Sequence, residues 1–242
     1  MRKKILKDMD DLCAEAAHDL TRIISTAIDQ RGEAHIFLAG GSTPRRLYRF
    51  LATSNVGQTI PWGKVHIYFG DERNVPADDP DCNYNMANQS LLKSISVDPT
   101  RIHRIQGELP AAEAALAYNN KLKYCLPFDV EGNPNPDLVI LGLGADGHVA
   151  SLFPDTDILD NTSDYVASVW VEKLRTNRIS ITYPVINGAN NVWLFVSGEA
   201  KRDIVDKIFN YHTPGRYPAE RVNPIGHLTW YLDEAAAYRI DR

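Results

Sequence analysis

The sequence has few cysteines, no long apolar run and no surplus of positive charge. Its 242 residues include only three cysteines, Cys13, Cys82 and Cys125, and no two of them form a C-x-x-C pair. An odd and scattered set of cysteines argues against a disulfide scaffold and is typical of a reducing compartment. We therefore expect free thiols and a cytoplasmic location.

Membrane and secretory segments are also missing. No stretch approaches the roughly 20 apolar residues that a transmembrane helix requires. The first residues, MRKKILKDMDDLC, carry charges but lack the apolar centre of a secretory signal. We expect neither membrane insertion nor secretion.

The charge balance disfavours a nucleic-acid partner. The 26 lysines and arginines are outnumbered by 31 aspartates and glutamates, and the net charge is -5 at pH 7. A nucleic-acid-binding domain usually carries a broad basic surface. The composition therefore predicts no nucleic-acid partner, although it is compatible with a local basic pocket for a small anion. It indicates no particular oligomeric state.

Strand-like and helix-like segments alternate along the chain. Apolar residues at helical spacing predict helices over 8–30, 44–52, 83–92, 110–125 and 199–210, and a last helix beginning near Asp233. Short apolar runs predict strands over 35–39, 65–69, 137–141, 165–171, 178–182 and 191–197. Strands separated by helices predict an α/β fold, with a mostly parallel sheet covered by helices on both faces. We expect a single domain over residues 1–242.

The first candidate site is the glycine turn after Ala39. Ligands of such sheets bind beyond the carboxyl ends of the strands. The turn reads Gly40-Gly41-Ser42-Thr43-Pro44-Arg45-Arg46, in which glycines expose amides, Ser42 or Thr43 can cap a helix, and Pro44 suits its first turn. Arginines there oppose the helix dipole at a cost of about 0.3–1 kcal/mol, which a bound phosphate would reverse. The turn predicts a phosphate site that includes Arg45, or else an ordinary capped helix with solvated arginines.

The second candidate site follows Phe69 and reads Gly70-Asp71-Glu72-Arg73. Arg73 is suited to stabilise a developing negative charge. The alternative is a salt-bridged surface loop of little energetic weight, which these residues taken alone favour. The acids that follow, Asp78, Asp79 and Asp81, lack the spacing and central glycine of a calcium loop, so we expect no metal there.

The third candidate site is the turn LGLGADGHVASLFP, residues 141–154. Its glycines fit a G-x-G-x-x-G dinucleotide fingerprint, but Pro154 would stop the long helix that this fingerprint requires. The alternative is a catalytic turn with His148 in the first turn of a short helix, which would favour the neutral imidazole that a general base needs. Asp146 would then orient the ring. His148 could also simply pack against or cap the turn.

These stretches together resemble the 6-phosphogluconolactonase family, within the superfamily that includes glucosamine-6-phosphate deaminase. The matching segments begin near residue 35 and follow the family's order. They read LAGGSTP (38–44), GDERNVP (70–76), GLGADGHVASLFP (142–154), RISIT (178–182), SGEAK (197–201) and LTWYLD (228–233). One departure is Cys82 before Asn83, where the family often has serine.

The resemblance implies a Rossmann-like fold and hydrolysis of 6-phospho-D-glucono-1,5-lactone to 6-phosphogluconate, the second step of the oxidative pentose phosphate pathway. It implies a small-molecule substrate and neither a cofactor nor a metal. By position in the family's motifs, the base is His148, its aspartate is Asp146, and the lactone-facing arginine is Arg73. The remaining implied site residues form a phosphate site and the surrounding turns: Gly40, Gly41, Ser42, Arg178 and Lys201 at the phosphate, and Asp71, Gly144 and Gly147 in the turns.

Two other functions stay open. The deaminases carry a glutamate five residues after the histidine, and here that position is Phe153, which cannot shuttle a proton. A non-catalytic sugar-phosphate sensor would keep the glycine turn without needing Asp146, His148 and Arg73 together. The sequence leaves undecided whether Asp71 and Glu72 touch the ligand and whether the loop 211–226 closes over it.

Overall fold

The computed structural model describes residues 1–211 and 215–240. Within them the strands, in chain order, are β1 (Arg2–Leu6), β2 (Ala34–Leu38), β3 (Val65–Phe69), β4 (Asp71–Arg73), β5 (Ile102–His103), β6 (Leu138–Leu141), β7 (Val166–Val171), β8 (Thr176–Ile181), β9 (Asn191–Val196) and β10 (His227–Asp233). The helices are α1 (Met9–Arg31), α2 (Ser42–Thr53), α3 (Asn55–Thr59), α4 (Asn83–Ser90), α5 (Ala111–Cys125), α6 (Tyr183–Asn187) and α7 (Arg202–Asn210).

Seven strands form one parallel sheet in the order β1-β10-β9-β6-β2-β3-β5. Every residue of the central strands β2 and β6 is buried. Because successive side chains point to opposite faces of a strand, both faces of the sheet are covered. The predicted α/β class with a mostly parallel sheet is confirmed.

The strand order reverses between β2 and β6. From β2 the chain adds β3 and β5 on one side, and it then returns to place β6, β9 and β10 on the other side. The carboxyl ends of β2 and β6 therefore flank a topological switch point. This is the place where open α/β sheets leave a crevice for ligands.

Two of the predicted strands belong to a separate small sheet. Strands β7 and β8 pair antiparallel, and β4 pairs antiparallel with the other edge of β8. Gly70 joins the two sheets, because its N–H donates to Leu38 O at 2.9 Å and its carbonyl accepts from Ile181 N at 2.9 Å. The small sheet thereby lies beside the carboxyl end of β2.

The predicted last helix near Asp233 is wrong. Residues 234–240, where this helix would lie, form turns instead. The preceding residues 227–233, for which no strand was predicted, form β10 between β1 and β9. Asp233 ends this strand, because its carboxylate accepts N–H groups of Gly198 at 3.0 Å and Ala236 at 2.8 Å. These bonds hold the alanines that follow in turns rather than in a helix. The edge strand β1, with its charged Arg-Lys-Lys start, was not predicted.

Helix α1 shows how local sequence sets an element's ends. The Asp8 side chain caps it by accepting the N–H groups of Asp10 and Asp11 at 3.0 and 3.1 Å. Gly32 ends it in a left-handed conformation with φ 84°, which glycine adopts without strain. The apolar stripe between these ends packs in the core, as its helical spacing predicts.

A cluster of titratable side chains lies near the amino ends of β2 and β3, opposite the switch point. Ligand atoms of Glu33, His35 and His66 lie within 4.8 Å of one another, which raises the question of a metal ion. The two imidazoles are parallel within 5°, so their lone pairs run side by side rather than converging. The guanidinium of Arg101 lies 2.6 Å from His66 Nε2 and 3.1 Å from Glu33 Oε2 and places a cation there already.

Among the described residues, no helix is long and apolar enough to cross a membrane. Cys13, Cys82 and Cys125 are all free thiols, as the sequence predicted.

Candidate active site

A cleft of about 230 Å³ opens at the switch point. Its walls are the turns that follow β2, β6 and β9, together with β4 from the small sheet. The lining residues that carry polar or charged groups are Ser42, Thr43, Asp71, Arg73, Asn83, His148 and Lys201. The three turns singled out from the sequence therefore meet in one cavity.

The glycine turn forms the floor of the cleft at the start of α2. Tyr48 ties this turn to the helix, because its hydroxyl bonds both the N–H and the carbonyl of Ala39 at 2.9 Å. A Cβ on Gly40 would lie 1.9 Å from Asn83 Oδ1, so a larger residue does not fit. The predicted cap by Ser42 or Thr43 is wrong. Gly41, with φ 96°, is the N-cap, and no side chain caps α2.

An uncapped helix start matters chemically because its first N–H groups lack intrahelical partners. Gly41, Ser42 and Thr43 all line the cleft. Backbone donors and the positive end of the helix dipole are the usual elements of an anion site. The floor of the cleft can therefore hold a phosphate group.

His148 and Asp146 form a hydrogen-bonded pair at the wall of the cleft. His148 Nδ1 lies 2.5 Å from Asp146 Oδ1, and the His148 N–H donates to the same oxygen at 3.3 Å. With Nδ1 donating to a carboxylate, Nε2 carries the lone pair that can accept a proton. The arrangement has the geometry of a general base with an orienting acid.

The turn around His148 is irregular, and the predicted short helix is wrong. Gly147 has φ 80°, which is unfavourable for other residues. The Gly144 N–H donates to the His148 carbonyl at 2.9 Å, and the Gly147 N–H donates to the Gly144 carbonyl at 3.0 Å. These bonds fold the segment into a tight loop, so it is the carboxylate of Asp146, and not a helix dipole, that acts on the imidazole.

The carboxylate of Asp146 is held in its ionised form. Burial alone would raise the pKa of Asp146, but hydrogen bonds from His148 and Lys173 outweigh burial and hold that pKa well below its usual range. An ionised carboxylate attracts the imidazolium that a base becomes after it takes a proton.

Phe153 packs on the imidazole of His148. The two ring centroids are 4.1 Å apart and the rings are tilted by 34°. Phe153 is buried. At this position of the turn the imidazole therefore meets an apolar ring and no acid.

Asp71 and Arg73 reach the cleft from β4. Oδ2 of Asp71 accepts from Ser151 Oγ at 2.6 Å, and Oδ1 accepts from Asn83 Nδ2 at 3.2 Å. Arg73 donates to the carbonyl of Asp81. This leaves a carboxylate and a guanidinium on the same wall, facing the cavity that His148 lines.

Glu72 turns away from the cleft, which answers a question that the sequence left open. Its buried carboxylate accepts the N–H groups of Arg73 at 2.8 Å, Asn83 at 2.6 Å and Tyr84 at 2.8 Å. Burial raises the pKa of Glu72 although these bonds oppose it. Cys82, the departure from the family pattern, donates its Sγ to the same carboxylate at 3.3 Å. Glu72 thus anchors the start of α4.

The three predicted phosphate-binding cations, Arg45, Arg178 and Lys201, do not all line the cleft. Lys201 lines it, and burial lowers the pKa of Lys201 against the attraction of Asp146. Arg178 is the β8 partner of Arg73 in the small sheet, and burial followed by repulsion from Arg73 lowers its pKa. Arg45 lines a neighbouring depression with Arg49.

The segment after residue 214 packs on the turn that carries His148. The Ala219 N–H donates to the Gly147 carbonyl at 3.0 Å, and a Cβ on Gly147 would lie 2.7 Å from Tyr217. Tyr183 fixes this segment by donating to the Pro218 carbonyl at 2.9 Å. The structure describes residue 211 and residues 215–226 of the predicted loop. The second part packs against the turn that carries His148.

Sequence reasoning missed Lys173 and Asn83. Lys173 lies in a 3₁₀ helix (Glu172–Leu174) between β7 and β8, where no motif marks it. Asn83 was predicted only as the first residue of the helix 83–92 and as the residue after Cys82. Neither position indicates that it would meet Asp71 and Gly40.

Known proteins similar to this chain share both its sequence and its fold. Residues 7–230 match the family described as glucosamine-6-phosphate isomerases/6-phosphogluconolactonase. A 6-phosphogluconolactonase of Synechocystis sp. is 38% identical over 223 residues, which are 90% of this chain and 89% of that protein. The structure of 6-phosphogluconolactonase from Trypanosoma brucei has a TM-score of 0.86 and 28% identity, covering 99% of this chain and 98% of that one.

A monomeric glucosamine-6-phosphate deaminase is similar in fold alone. Its TM-score is 0.81 at 19% identity, over 98% of this chain and 99% of that one. The family match spans most of the chain. The alignment with the Synechocystis protein covers 90% of this chain and 89% of that protein. This chain belongs to the glucosamine-6-phosphate isomerase/6-phosphogluconolactonase family.

Proposed function

We propose that this protein hydrolyses 6-phospho-D-glucono-1,5-lactone to 6-phosphogluconate, with His148 as general base. One observation carries the proposal. An imidazole bonded through Nδ1 to an ionised carboxylate shares a single cleft with two cations and an uncapped helix start. The names of the similar proteins support the same lactone as substrate.

The phosphate of the substrate binds at the floor of the cleft. The N–H groups of Gly41 and Ser42 and the ammonium of Lys201 donate to its oxygens, since all three residues line the cavity. Arg178 approaches from the small sheet beside Arg73. Arg45 adds positive charge at the same helix end. These contacts orient the lactone more than they activate it.

The lactone carbonyl then lies between His148 and Arg73. Nε2 of His148 takes a proton from a water molecule as the water oxygen attacks the carbonyl carbon. Arg73 stabilises the oxyanion, and Asp146 stabilises the imidazolium. The imidazolium then returns the proton to the ring oxygen as the carbon–oxygen ester bond breaks, and the free acid ionises. General-base catalysis contributes about 10²–10⁴-fold and oxyanion stabilisation about 10²–10³-fold.

The surrounding turns fix this geometry. Asp71 faces the cavity and can accept a hydrogen bond from a sugar hydroxyl. Gly144 and Gly147 leave room for the imidazole and for Tyr217, respectively. No step of this mechanism needs a cofactor or a metal. The cytoplasmic location, the single domain over 1–242 and the lack of a nucleic-acid partner stay predictions.

The packing of Phe153 on His148 favours a lactonase over a deaminase. A deaminase of this superfamily carries an acid five residues after the histidine, and an apolar ring cannot serve in its place. A sugar-phosphate sensor would not require His148 and Arg73 to line one cavity with Asp146 bonded to the imidazole, as the three residues are arranged here.

The test is hydrolysis of the lactone generated in place, with its spontaneous decay subtracted. Ammonia release from glucosamine 6-phosphate is measured beside it. We expect fast decay, no ammonia, and a loss of turnover of about 10²-fold or more in His148→Ala, with binding of 6-phosphogluconate little changed. Full turnover in His148→Ala would refute the base assignment. Ammonia release would place the protein with the deaminases, and binding without turnover would indicate a sensor.

A further inference from the structure

Lys173 bonds the second oxygen of the carboxylate that orients His148. Its ammonium forms an ion pair with Oδ2 of Asp146, whereas Oδ1 accepts from His148 Nδ1 at 2.5 Å. Lys173 comes from the connection between β7 and β8, outside the catalytic turn. A single carboxylate therefore joins the proposed base to a lysine that is distant in the sequence.

Phe153 links the same lysine and histidine on another side. Lys173 Nζ lies 4.6 Å from the centroid of the Phe153 ring, in cation–π geometry, and the His148 ring packs on Phe153 at 4.1 Å. Asp146, His148, Phe153 and Lys173 thus form a closed ring of contacts, which we call the base cluster. The buried ring of Phe153 thus contacts both basic side chains.

We propose that Lys173 is a positioning residue of the hydrolase, which holds Asp146 in place and sets the pH at which His148 takes up a proton. The proposal rests on the function proposed above for His148. The lysine charge attracts the same carboxylate that stabilises the imidazolium, and it also repels the imidazolium directly. Both effects favour the neutral imidazole, which is the form that accepts a proton from water.

Other charged groups also face the base cluster. On the cleft side these are Lys201, Arg73 and Asp71. On the side of Lys173 they are Asp155 and Glu172, and Glu172 accepts a hydrogen bond from Trp170 at 2.7 Å. All of them stay unchanged when Lys173 alone is replaced. A difference between the protein and its Lys173 variant therefore reports the lysine charge.

The ion pair is accessible enough that its loss leaves the fold intact. The Lys173 side chain is 50% exposed, and pairs with that exposure contribute little to stability. Lys173→Met keeps an unbranched apolar stem over Phe153 and removes the ammonium, with its charge and its bond to Asp146. Lys173→Arg keeps the charge, and Lys123→Met removes an exposed lysine from the end of α5 as a control.

The experiment is the pH profile of kcat/KM for lactone hydrolysis between pH 5 and 8, corrected for spontaneous decay. In Lys173→Met, Asp146 keeps its two bonds to His148 and loses only the opposing lysine charge, so we expect the acid limb to move up by about 0.5 pH unit. We expect kcat to fall several-fold because the carboxylate is held less rigidly. Lys173→Arg and Lys123→Met should keep the original limb. Lower kcat with an unmoved acid limb would reduce Lys173 to a structural role and overturn the proposal.

A measurement without substrate separates this proposal from the proposed function. The imidazole titration of His148 is followed by NMR and assigned with His148→Gln, which is practical with seven histidines. We expect it to move to higher pH in Lys173→Met, whatever the enzyme hydrolyses. An unmoved titration would overturn the role of Lys173 even if the lactonase activity is confirmed. Loss of the lactonase assignment alone would leave this titration result standing.

Discussion

Asp71 and Glu72 are neighbours on β4, yet their carboxylates serve different parts of the molecule. Asp71 lines the cleft and accepts from Ser151 Oγ at 2.6 Å. Glu72 has no exposed surface and accepts the N–H groups of Arg73, Asn83 and Tyr84. Because successive side chains of a strand point to opposite faces, Asp71 faces the cleft and Glu72 stabilises the fold.

This separation predicts opposite phenotypes for the two acids. Glu72→Ala leaves three buried N–H groups without an acceptor. We therefore expect the free energy of unfolding, measured by urea titration, to fall by about 3 kcal/mol. Asp71→Asn should keep nearly full stability and lower kcat/KM about tenfold or more through the lost substrate contact. Equal stability losses in both variants would contradict the assignment.

The close approach of Gly144 to His148 leads to a second prediction. A Cβ at this position would lie 2.0 Å from Nδ1 of His148, so Gly144→Ala must displace the imidazole. We expect kcat/KM to fall by about 10²-fold, since small misplacements of a catalytic group have effects of this size. Gly63→Ala is the matched control, because Gly63 does not line the cleft and its Cβ would meet only the Ser96 carbonyl oxygen, at an ordinary 3.7 Å. Similar activities of the two variants would show that the position of His148 is not critical.

The lowered pKa of Lys201 leads to a prediction of how binding of the product depends on pH. Burial lowers the pKa of Lys201, so its ammonium loses the proton at lower pH than an ordinary lysine does. As the pH rises above neutral, calorimetry should therefore show the affinity for 6-phosphogluconate falling before an exposed lysine would titrate. Lys201→Met should bind about tenfold more weakly at pH 7 and lose this alkaline dependence. A variant that kept the same dependence would point to another group.

The buried histidines predict a loss of stability in acid. Burial, aided by the charge of His66, lowers the pKa of His35 and of His103 to about 4. The unfolded chain therefore binds more protons between about pH 6.5 and 4. The stability that the neutral rings contribute is complete above pH 6.5 and is lost as the pH falls through this range.

Urea titrations at several pH values measure this effect. We expect it to reach on the order of 2–4 kcal/mol by pH 4. The double variant His35→Gln/His103→Gln should flatten the curve, whereas His18→Gln, at an exposed position of α1, should leave it unchanged. A curve of the same steepness in the double variant would assign the acid loss to carboxylates instead.

The sequence predicted the elements whose pattern follows from burial alone. The predicted strands at 65–69 and 137–141 are mostly apolar because β3 and β6 are covered on both faces of the sheet, and both strands are confirmed. Strand β1 was missed because an edge strand with charged residues carries no such pattern. The helix expected to begin near Asp233 did not form because the Asp233 carboxylate holds the next residues in turns and bonds Gly198, which is distant in the sequence.

Most residues of the candidate site were predicted from the sequence, one turn at a time. The glycine turn, Asp71, Arg73, His148 and Lys201 do share one cleft. Their convergence follows from a general property of parallel sheets, whose carboxyl ends meet at one edge. The irregular turn around His148 was not predicted, because its hydrogen bonds depend on the φ of 80° at Gly147 rather than on helix-forming residues.

The sequence by itself determined the fold class, the family and the turns that carry the candidate site residues, because burial periodicity and turn residues are local properties. Only the tertiary structure decided that Glu72 faces away from the cleft, that Arg45 lies beside it, and that Lys173 reaches Asp146. The first and last of these outcomes depend on the small antiparallel sheet, and the position of Arg45 depends on how α2 packs against α4. Such packing joins segments far apart in the chain, and no local pattern encodes it.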